Sequence, residues 1–226
     1  TFIIIACSPV PNTNIFEIDK EMATPATENS LAEALKGRTL VLASTSPRRI
    51  EFFEKLGVPF LARTGDVREH YPDTLTDGRE IVQYLSRLKA RAAGPLAPQE
   101  IIVGADTLVW ADGRPLGKPR DEQEAEATLR ALSGRTHEVL TGVTLRSVTD
   151  EESFCCATRV TFLPIDPQDI RYYVSRFSPL DKAGAYAIQE WIGETHIASI
   201  EGSYHNVVGL PTAQLYQRLK KFAVRG

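Results

Sequence analysis

Residues 40–49 read LVLASTSPRR, an apolar run that leads directly into the start of a helix. Ser46 is a good residue type for the N-cap, and Pro47 suits the first helical position, where its missing N–H costs nothing. Arg48 and Arg49 then fall in the first turn, where the positive end of the helix dipole disfavours cations. Two arginines at this point therefore predict an anion site, and phosphate would supply the anion. The alternative is a solvated pair of surface arginines.

Composition and length limit the classes of protein that fit. The chain has 226 residues and is 42% hydrophobic, enough for one large domain or for two lobes around a cleft. A formal net charge of −3 excludes a global basic field that would attract nucleic acid or an acidic membrane. The three cysteines, Cys7, Cys155 and Cys156, have no metal-ligand spacing and predict a reduced, intracellular protein.

The first 38 residues differ in character from the rest. The apolar run at residues 2–6 is too short to span a membrane and has no basic residues before it, so we expect neither a transmembrane helix nor a secretory signal. We expect a short strand there and a modest helix at residues 27–35. We interpret residues 1–38 as an N-terminal extension and residues 39–226 as the main domain.

Residues 101–110, IIVGADTLVW, predict a buried strand with one carboxylate inside it. An ionised carboxylate is costly to bury alone, so Asp106 should bind a cation, act as a base or form a specific ion pair. The first two are favoured over the ion pair. A turn at Asp112 and Gly113 returns the chain and should bring Lys118 to the same end of the sheet as Asp106.

Two further charged residues are candidates for the same site. Glu69 lies in a polar loop, and Lys89 falls at the margin of the apolar face of a helix expected from Gly78 to Ala93. The stem of Lys89 can lie on the core while its ammonium faces a cleft. Taken alone, a surface glutamate and a structural lysine are the simpler interpretations.

The remaining elements predict an α/β fold with a mixed central sheet and flanking helices. A capped helix is expected at 121–132, two strands at 137–146 and 154–163 joined by a turn at 149–153, and a helix after Asp166. A loop at 181–189, a strand at 196–200, a loop at 202–206 and a terminal helix from Pro211 complete the chain. We interpret His137 as a packing or hydrogen-bonding residue rather than a metal ligand.

Six motifs together resemble the Maf family. They are STSPRR at 44–49, GADT at 104–107, GKP at 117–119, LSGR at 132–135, DKAGAY at 181–186 and VVGLP at 207–211. The resemblance begins near residue 39 and runs to the end. It implies a nucleoside triphosphate pyrophosphatase, cytoplasmic and homodimeric, that needs a divalent cation. It also implies two lobes around a nucleotide cleft, similar to inosine triphosphate pyrophosphatases.

The resemblance also implies roles for individual residues. It makes Asp106 the proton acceptor, and it places Glu69, Lys89 and Lys118 where the family keeps catalytic or phosphate-binding side chains. The residues expected to bind the substrate are Ser44, Ser46, Arg48, Arg49, Thr107 and Gln189. The sequence departs from the family pattern at Arg68, where an acid is usual, and at Ala187, Glu190 and Trp191, where smaller residues are usual.

The residue types suit hydrolysis between the α and β phosphates. That reaction needs a polyanion clamp, a cation to offset developing charge and a directed water. Arg48, Lys89 and Lys118 can form the clamp, while Asp106 and Glu69 can hold Mg²⁺, with Mn²⁺ as the alternative metal. Whether Asp106 is a base, a metal ligand or both stays open at this point.

The amide of Gln189 predicts the choice of base. It can pair with the O4 carbonyl and N3–H that uracil and thymine share, so we expect dTTP and UTP, or modified pyrimidine nucleotides, as substrates. An alternative is a nucleotide-sensing regulator of cell division and septum formation without turnover. Binding of nucleic acid through the arginines is disfavoured, because the net charge is negative and no aromatic-basic stripe is present.

Overall fold

The computed structural model of the chain describes residues 16–17 and 28–225. The strand expected at residues 2–6 and Cys7 lie outside the described residues. The described residues contain eight strands: β1 (Phe16–Glu17), β2 (Thr39–Leu42), β3 (Phe60–Ala62), β4 (Glu100–Ala111), β5 (Arg114–Leu116), β6 (Thr136–Arg146), β7 (Glu151–Phe162) and β8 (Ile197–Glu201). The helices of the same residues are α1 (Ser30–Ala34), α2 (Pro47–Lys55), α3 (Gly78–Ala92), α4 (Glu122–Leu132), α5 (Pro167–Phe177), α6 (Trp191–His196), α7 (Tyr204–Val208) and α8 (Thr212–Ala223).

The strands form one mixed sheet, which confirms the predicted fold class. Their order is β1-β3-β2-β4-β6-β7-β8, with β5 paired to β4. Strand β2 runs parallel to both β3 and β4, whereas the pairings from β4 to β8 are antiparallel. Helices on the sheet complete the α/β arrangement. None of the helices in the described part of the chain has the length and apolar character that crossing a bilayer requires.

The two larger hydrophobic cores of the described residues lie one towards each end of the long strands, and a smaller third cluster includes Ala90 of α3 and Ile102 of β4. The first core combines the start of β4 with α1, α2 and α8, and includes Val103, Val143, Leu145, Leu215 and Leu219. The second combines the end of β4 with α4 and α5, and includes Val109, Leu129, Val139, Val160 and Tyr173. Thr107 of β4 and its paired residue Thr141 of β6 lie between these cores. A cleft therefore opens halfway along the strands.

Helix α3 lies directly on the sheet at two glycines. A Cβ atom on Gly104 would lie 2.3 Å from the carbonyl oxygen of Ser86, and one on Gly142 would lie 2.1 Å from that of Val82. Both distances are far shorter than van der Waals contact, so only glycine permits this approach. The close packing brings the C-terminal half of α3 beside the centre of β4.

Three boundaries differ from the sequence prediction. Strand β7 already begins at Glu151, because the hairpin turn is closed earlier by a hydrogen bond from Ser147 N–H to Asp150 O at 2.8 Å. The hairpin turn predicted at 149–153 is therefore present, but its predicted bounds are wrong for residues 151–153, which belong to β7. The predicted loop at 202–206 is also wrong in part, since α7 begins at Tyr204, where Ser203 caps it by accepting from the Asn206 N–H. Helix α6 was not predicted.

Candidate active site

Lys89 joins two carboxylates that are distant in sequence. Its Nζ lies 2.5 Å from Oδ1 of Asp106 and 2.8 Å from Oε1 of Glu69. We call Asp106, Lys89 and Glu69 the carboxylate cluster. Their side chains are 8%, 18% and 56% exposed, so burial decreases in this order. The ion pair that the sequence analysis left as an alternative for Asp106 is thus present. Its partner is Lys89, which pairs with Glu69 as well.

The two carboxyl groups of the carboxylate cluster differ in pKa. Burial raises the pKa of Asp106 above its ordinary value, although the charges of Lys89 and Arg49 oppose the change. Burial also acts to raise the pKa of Glu69, but the hydrogen bond and charge of Lys89, with the charge of Lys118, outweigh it and lower that pKa. Two carboxyl groups whose pKa values are pushed apart suit different roles in acid–base chemistry.

The carboxylate cluster faces a cleft of about 210 Å³. The structure brings nearly all the predicted site residues to its walls: Ser46, Arg48, Arg49, Glu69, Lys89, Asp106, Thr107, Lys118 and Gln189. Ser44 lines an adjoining cavity of about 210 Å³ that shares Arg49, Glu69 and Lys89 with the cleft. The turn at Asp112 and Gly113 is confirmed by the β4–β5 hairpin, which carries Lys118 to the edge of the cleft.

Arg49 is held by the protein itself. Its guanidinium donates to Gly209 O and Ala105 O, both at 2.9 Å, and to Thr107 Oγ1 at 3.1 Å. Arg49 therefore connects α2 to β4 and to the segment after α7 by hydrogen bonds. The helix-dipole argument did not predict this structural role. Burial also lowers the pKa of Arg49, because it penalises the charged form. Contact of Arg49 with a ligand stays a prediction.

Ser46 occupies the N-cap position of α2, as predicted, with Pro47 in the first turn. The expectation that its side chain caps the helix is wrong, because Ser46 makes no capping hydrogen bond. Instead, Oγ of buried Ser44 accepts from the Ser46 N–H at 3.1 Å. This bond folds the chain into a tight bend between β2 and α2, and it leaves the Ser46 side chain at the cleft.

The opposite wall of the cleft comes from residues 181–189. Gly184 and Ala185 have positive φ angles of 70° and 59°, and Gly184 N–H donates to Gly117 O at 3.1 Å. A Cβ atom on Gly184 would lie 3.0 Å from the side chain of Val109, so the loop presses against β4. The motif at 181–186 thereby joins the two walls near Lys118.

Tyr186 is a site residue that no sequence argument singled out, except as part of the motif at 181–186. It lines the cleft although it is buried, and its hydroxyl lies 2.7 Å from Nε2 of His137. Burial lowers the pKa of His137 to about 4, so the imidazole is neutral at pH 7. His137 also stacks on Phe162 with ring centroids 5.7 Å apart. The interpretation of His137 as a packing and hydrogen-bonding residue is confirmed.

The donor set of the carboxylate cluster fits a hard divalent cation. Asp106 and Glu69 offer carboxylate oxygens, and Lys89 occupies the point between them where positive charge is already favoured. Within residues 28–225 there is no group of three or more His, Cys, Asp or Glu side chains arranged to hold a metal. A pair of carboxylates suits Mg²⁺, which usually binds one or two of them together with substrate phosphates and water.

Comparison with known proteins agrees with this geometry. A family model described as Maf-like protein matches residues 39–222. The dTTP/UTP pyrophosphatase of Bacteroides thetaiotaomicron is 48% identical over 184 residues, which cover 80% of this chain and 95% of the relative. The protein of the same name from Phocaeicola vulgatus is 45% identical over 193 residues, 84% of this chain and 100% of the relative. The corresponding protein of Porphyromonas gingivalis is 43% identical over 196 residues, 85% and 98% of the two chains. The chain therefore belongs to the Maf family.

Proposed function

We propose that this protein hydrolyses nucleoside triphosphates, preferably dTTP and UTP, to the monophosphate and pyrophosphate. The observation that carries the proposal is the carboxylate cluster, set in one cleft with Arg48 and Lys118. The names of the relatives support the same activity and the same two substrates. We call the wall with the carboxylate cluster the phosphate end, and the wall formed by residues 181–189 the base end.

At the phosphate end, the basic side chains hold the triphosphate and the carboxylates direct a water to the α phosphorus. The water oxygen forms a bond to that phosphorus, and the bond to the bridging oxygen of the β phosphate breaks. Asp106 accepts the proton of the water, and pyrophosphate leaves with the bonding electrons. The raised pKa of Asp106 makes it the better base of the two carboxylates, whereas Glu69 stays ionised.

A divalent cation completes the proposed site, and we propose Mg²⁺. Asp106 and Glu69 would hold it, and it would supply positive charge to the phosphate oxygens. Arg48 and Lys118 line the same cleft and would add their positive charge to the same phosphate oxygens. The departure at Arg68 leaves Glu69 as the acid of that loop nearest to Lys89.

At the base end, the proposed contact is from the amide of Gln189 to O4 and N3–H of uracil or thymine. An amide has both a donor and an acceptor, so one side chain can match both groups. Cytosine presents the opposite pattern at these two positions. Gln189 lines the cleft with Thr107 and Arg48, which are also among the residues expected to bind the substrate.

A panel of nucleoside triphosphates with Mg²⁺ tests the proposal. We expect pyrophosphate and the monophosphate as the products, with the highest kcat/KM for dTTP and UTP, and phosphorus NMR distinguishes them directly. Orthophosphate with a nucleoside diphosphate would overturn the assignment of attack at the α phosphorus. Tight binding without turnover would instead favour a nucleotide-sensing regulator. The homodimer, the cytoplasmic location and the division into an N-terminal extension at residues 1–38 and a main domain at residues 39–226 stay predictions.

A further inference from the structure

Gln189 lies in a tight turn, which we call the glutamine turn and define as residues 187–190. Glu190 N–H donates to Ala187 O at 3.1 Å, so Ile188 and Gln189 are the two central residues. Ile188 points into the second core and is buried, whereas Gln189 is exposed towards the cleft. The position of the Gln189 backbone, and the direction in which its Cα–Cβ bond enters the cleft, therefore depend on the contacts that hold the two ends of this turn.

A single buried hydroxyl holds both ends. Tyr173 projects from α5 and is completely buried. Its Oη accepts from the Ala187 N–H at 3.2 Å and donates to Oε2 of Glu190. The other carboxylate oxygen of Glu190 lies 3.4 Å from Nζ of Lys182, whose side chain is only 11% exposed. The first and last residues of the glutamine turn are thus fixed to the same oxygen atom.

Helix α6 also packs against the glutamine turn. A Cβ atom on Gly193 would lie 1.9 Å from the carbonyl oxygen of Ile188, so the helix backbone touches the glutamine turn. Gly193 N–H also donates to Glu190 O at 2.9 Å. Glu190 stands where the resemblance implies a small residue, and a small residue could not supply this carboxylate contact to Tyr173.

We propose that Tyr173 and Glu190 are positioning residues that determine base selectivity by fixing the glutamine turn and so the direction of the Gln189 amide. This inference rests on the proposed function and deepens it. Tyr173 does not line the cleft and acts only through the turn. A pair of hydrogen bonds that must match O4 and N3–H needs a fixed amide, because a rotating amide matches cytosine equally well.

The substitution Tyr173→Phe tests the proposal. It removes one oxygen, keeps the ring that stacks on Phe177 at 5.1 Å, and leaves the buried Ala187 N–H without its acceptor. We expect the ratio of kcat/KM for dTTP to that for CTP to fall by roughly 5- to 30-fold, the factor that corresponds to a lost contact of this kind. The ratio should fall because kcat/KM for dTTP decreases, while kcat/KM for CTP changes little.

The matched control is Tyr172→Phe, the same chemical change one residue earlier on α5. Tyr172 is 47% exposed and contacts Trp191 only through its ring, at 4.9 Å between centroids. This variant should keep the wild-type ratio. If Tyr173→Phe does not fold, Glu190→Ala removes the other half of the same contact and should lower the ratio in the same way.

A double-mutant cycle separates positioning from general loosening. If Tyr173 acts through Gln189, then Tyr173→Phe should change the ratio in the wild-type background and have no further effect on it in Gln189→Ala. Additive effects, or an unchanged ratio in folded Tyr173→Phe and Glu190→Ala, would overturn the inference. Calorimetric binding of dTMP and dCMP gives the same comparison without turnover. Failure of the proposed function would therefore appear as absent pyrophosphate release, whereas failure of this inference would appear as unchanged preference for dTMP.

Discussion

The two ends of the cleft are built in different ways. The phosphate end collects charged side chains from α2, α3, β4, the β4–β5 hairpin and a loop, and Lys89 holds two of the carboxylates together. The base end comes from one continuous segment, residues 181–190, fixed by backbone and hydroxyl hydrogen bonds. Charges in a partly buried cluster depend strongly on one another, whereas single hydrogen bonds contribute modestly. Changes at the phosphate end should therefore affect turnover most, and changes at the base end should affect selectivity.

The largest effect is expected from Asp106→Asn. The amide keeps the shape of the side chain but loses its basicity and its charge, so kcat should fall by roughly 10²–10⁴-fold. Chemical denaturation should show a much smaller change in stability than in rate. Asp73→Asn, on an exposed loop residue, is the matched control and should keep wild-type kcat. Near-normal turnover by a folded Asp106→Asn protein would remove this carboxylate from the mechanism.

A somewhat smaller effect is expected from Lys89→Met. Without the ammonium, Asp106 and Glu69 lose their shared partner and the phosphates lose a positive charge, so kcat should fall by roughly 10²–10³-fold. Lys55→Met removes a lysine that pairs with Glu51 on the surface of α2 and should leave kcat unchanged. Equal effects of the two substitutions would show that the cluster has no special role.

At the base end, Gln189→Glu should change selectivity rather than the rate of the chemical step. An ionised carboxylate has no donor for O4, so kcat/KM for dTTP and UTP should fall relative to that for CTP. The loss corresponds to about 1–3 kcal/mol of transition-state binding free energy. Gln217→Glu, an exposed position on α8, provides the control. A wild-type enzyme that prefers CTP or 7-methyl-GTP would contradict the proposed pairing before any substitution is made.

The smallest effect concerns stability and comes from His137 beneath the base end. Its pKa is about 4 in the folded chain and 6.5 in its ordinary state, so the unfolded chain binds more protons between these values. The contribution of the neutral His137 imidazole to the free energy of unfolding is therefore fully present above pH 6.5 and is lost as the pH falls towards 4. Between pH 7 and pH 5 the loss from this group should be about 2 kcal/mol.

Urea denaturation at the two pH values measures this loss. The variant His137→Gln should lose less stability than the wild type over the same interval, because it has no group to titrate there. The variant His205→Gln, at an exposed position on α7, should behave like the wild type. Identical pH dependence in wild type and His137→Gln would show that the buried imidazole does not contribute.

Local patterns in the sequence were enough to predict most of the fold. The apolar run before Ser46 predicted β2, Pro47 marked the start of α2, and α5 begins directly after Asp166, which caps it. The boundaries at 149–153 and 202–206 were wrong in part. Residue type alone does not decide which polar residue caps a helix or closes a turn, because Ser203 caps α7 whereas Ser46 does not cap α2, and the β6–β7 turn is closed by Ser147 N–H and Asp150 O.

The sequence by itself singled out the residues that we propose carry the chemistry and determined that they belong to an α/β protein, since motifs and hydrophobic periodicity are local properties. Only the tertiary structure decided how those residues meet. It placed Lys89 between Asp106 and Glu69 because α3 can approach the sheet at Gly104 and Gly142. It also turned Arg49 inward to backbone carbonyls and fixed the glutamine turn on the hydroxyl of Tyr173. These contacts join separate segments of the chain, so their geometry follows from packing and from the cost of leaving buried polar groups unpaired.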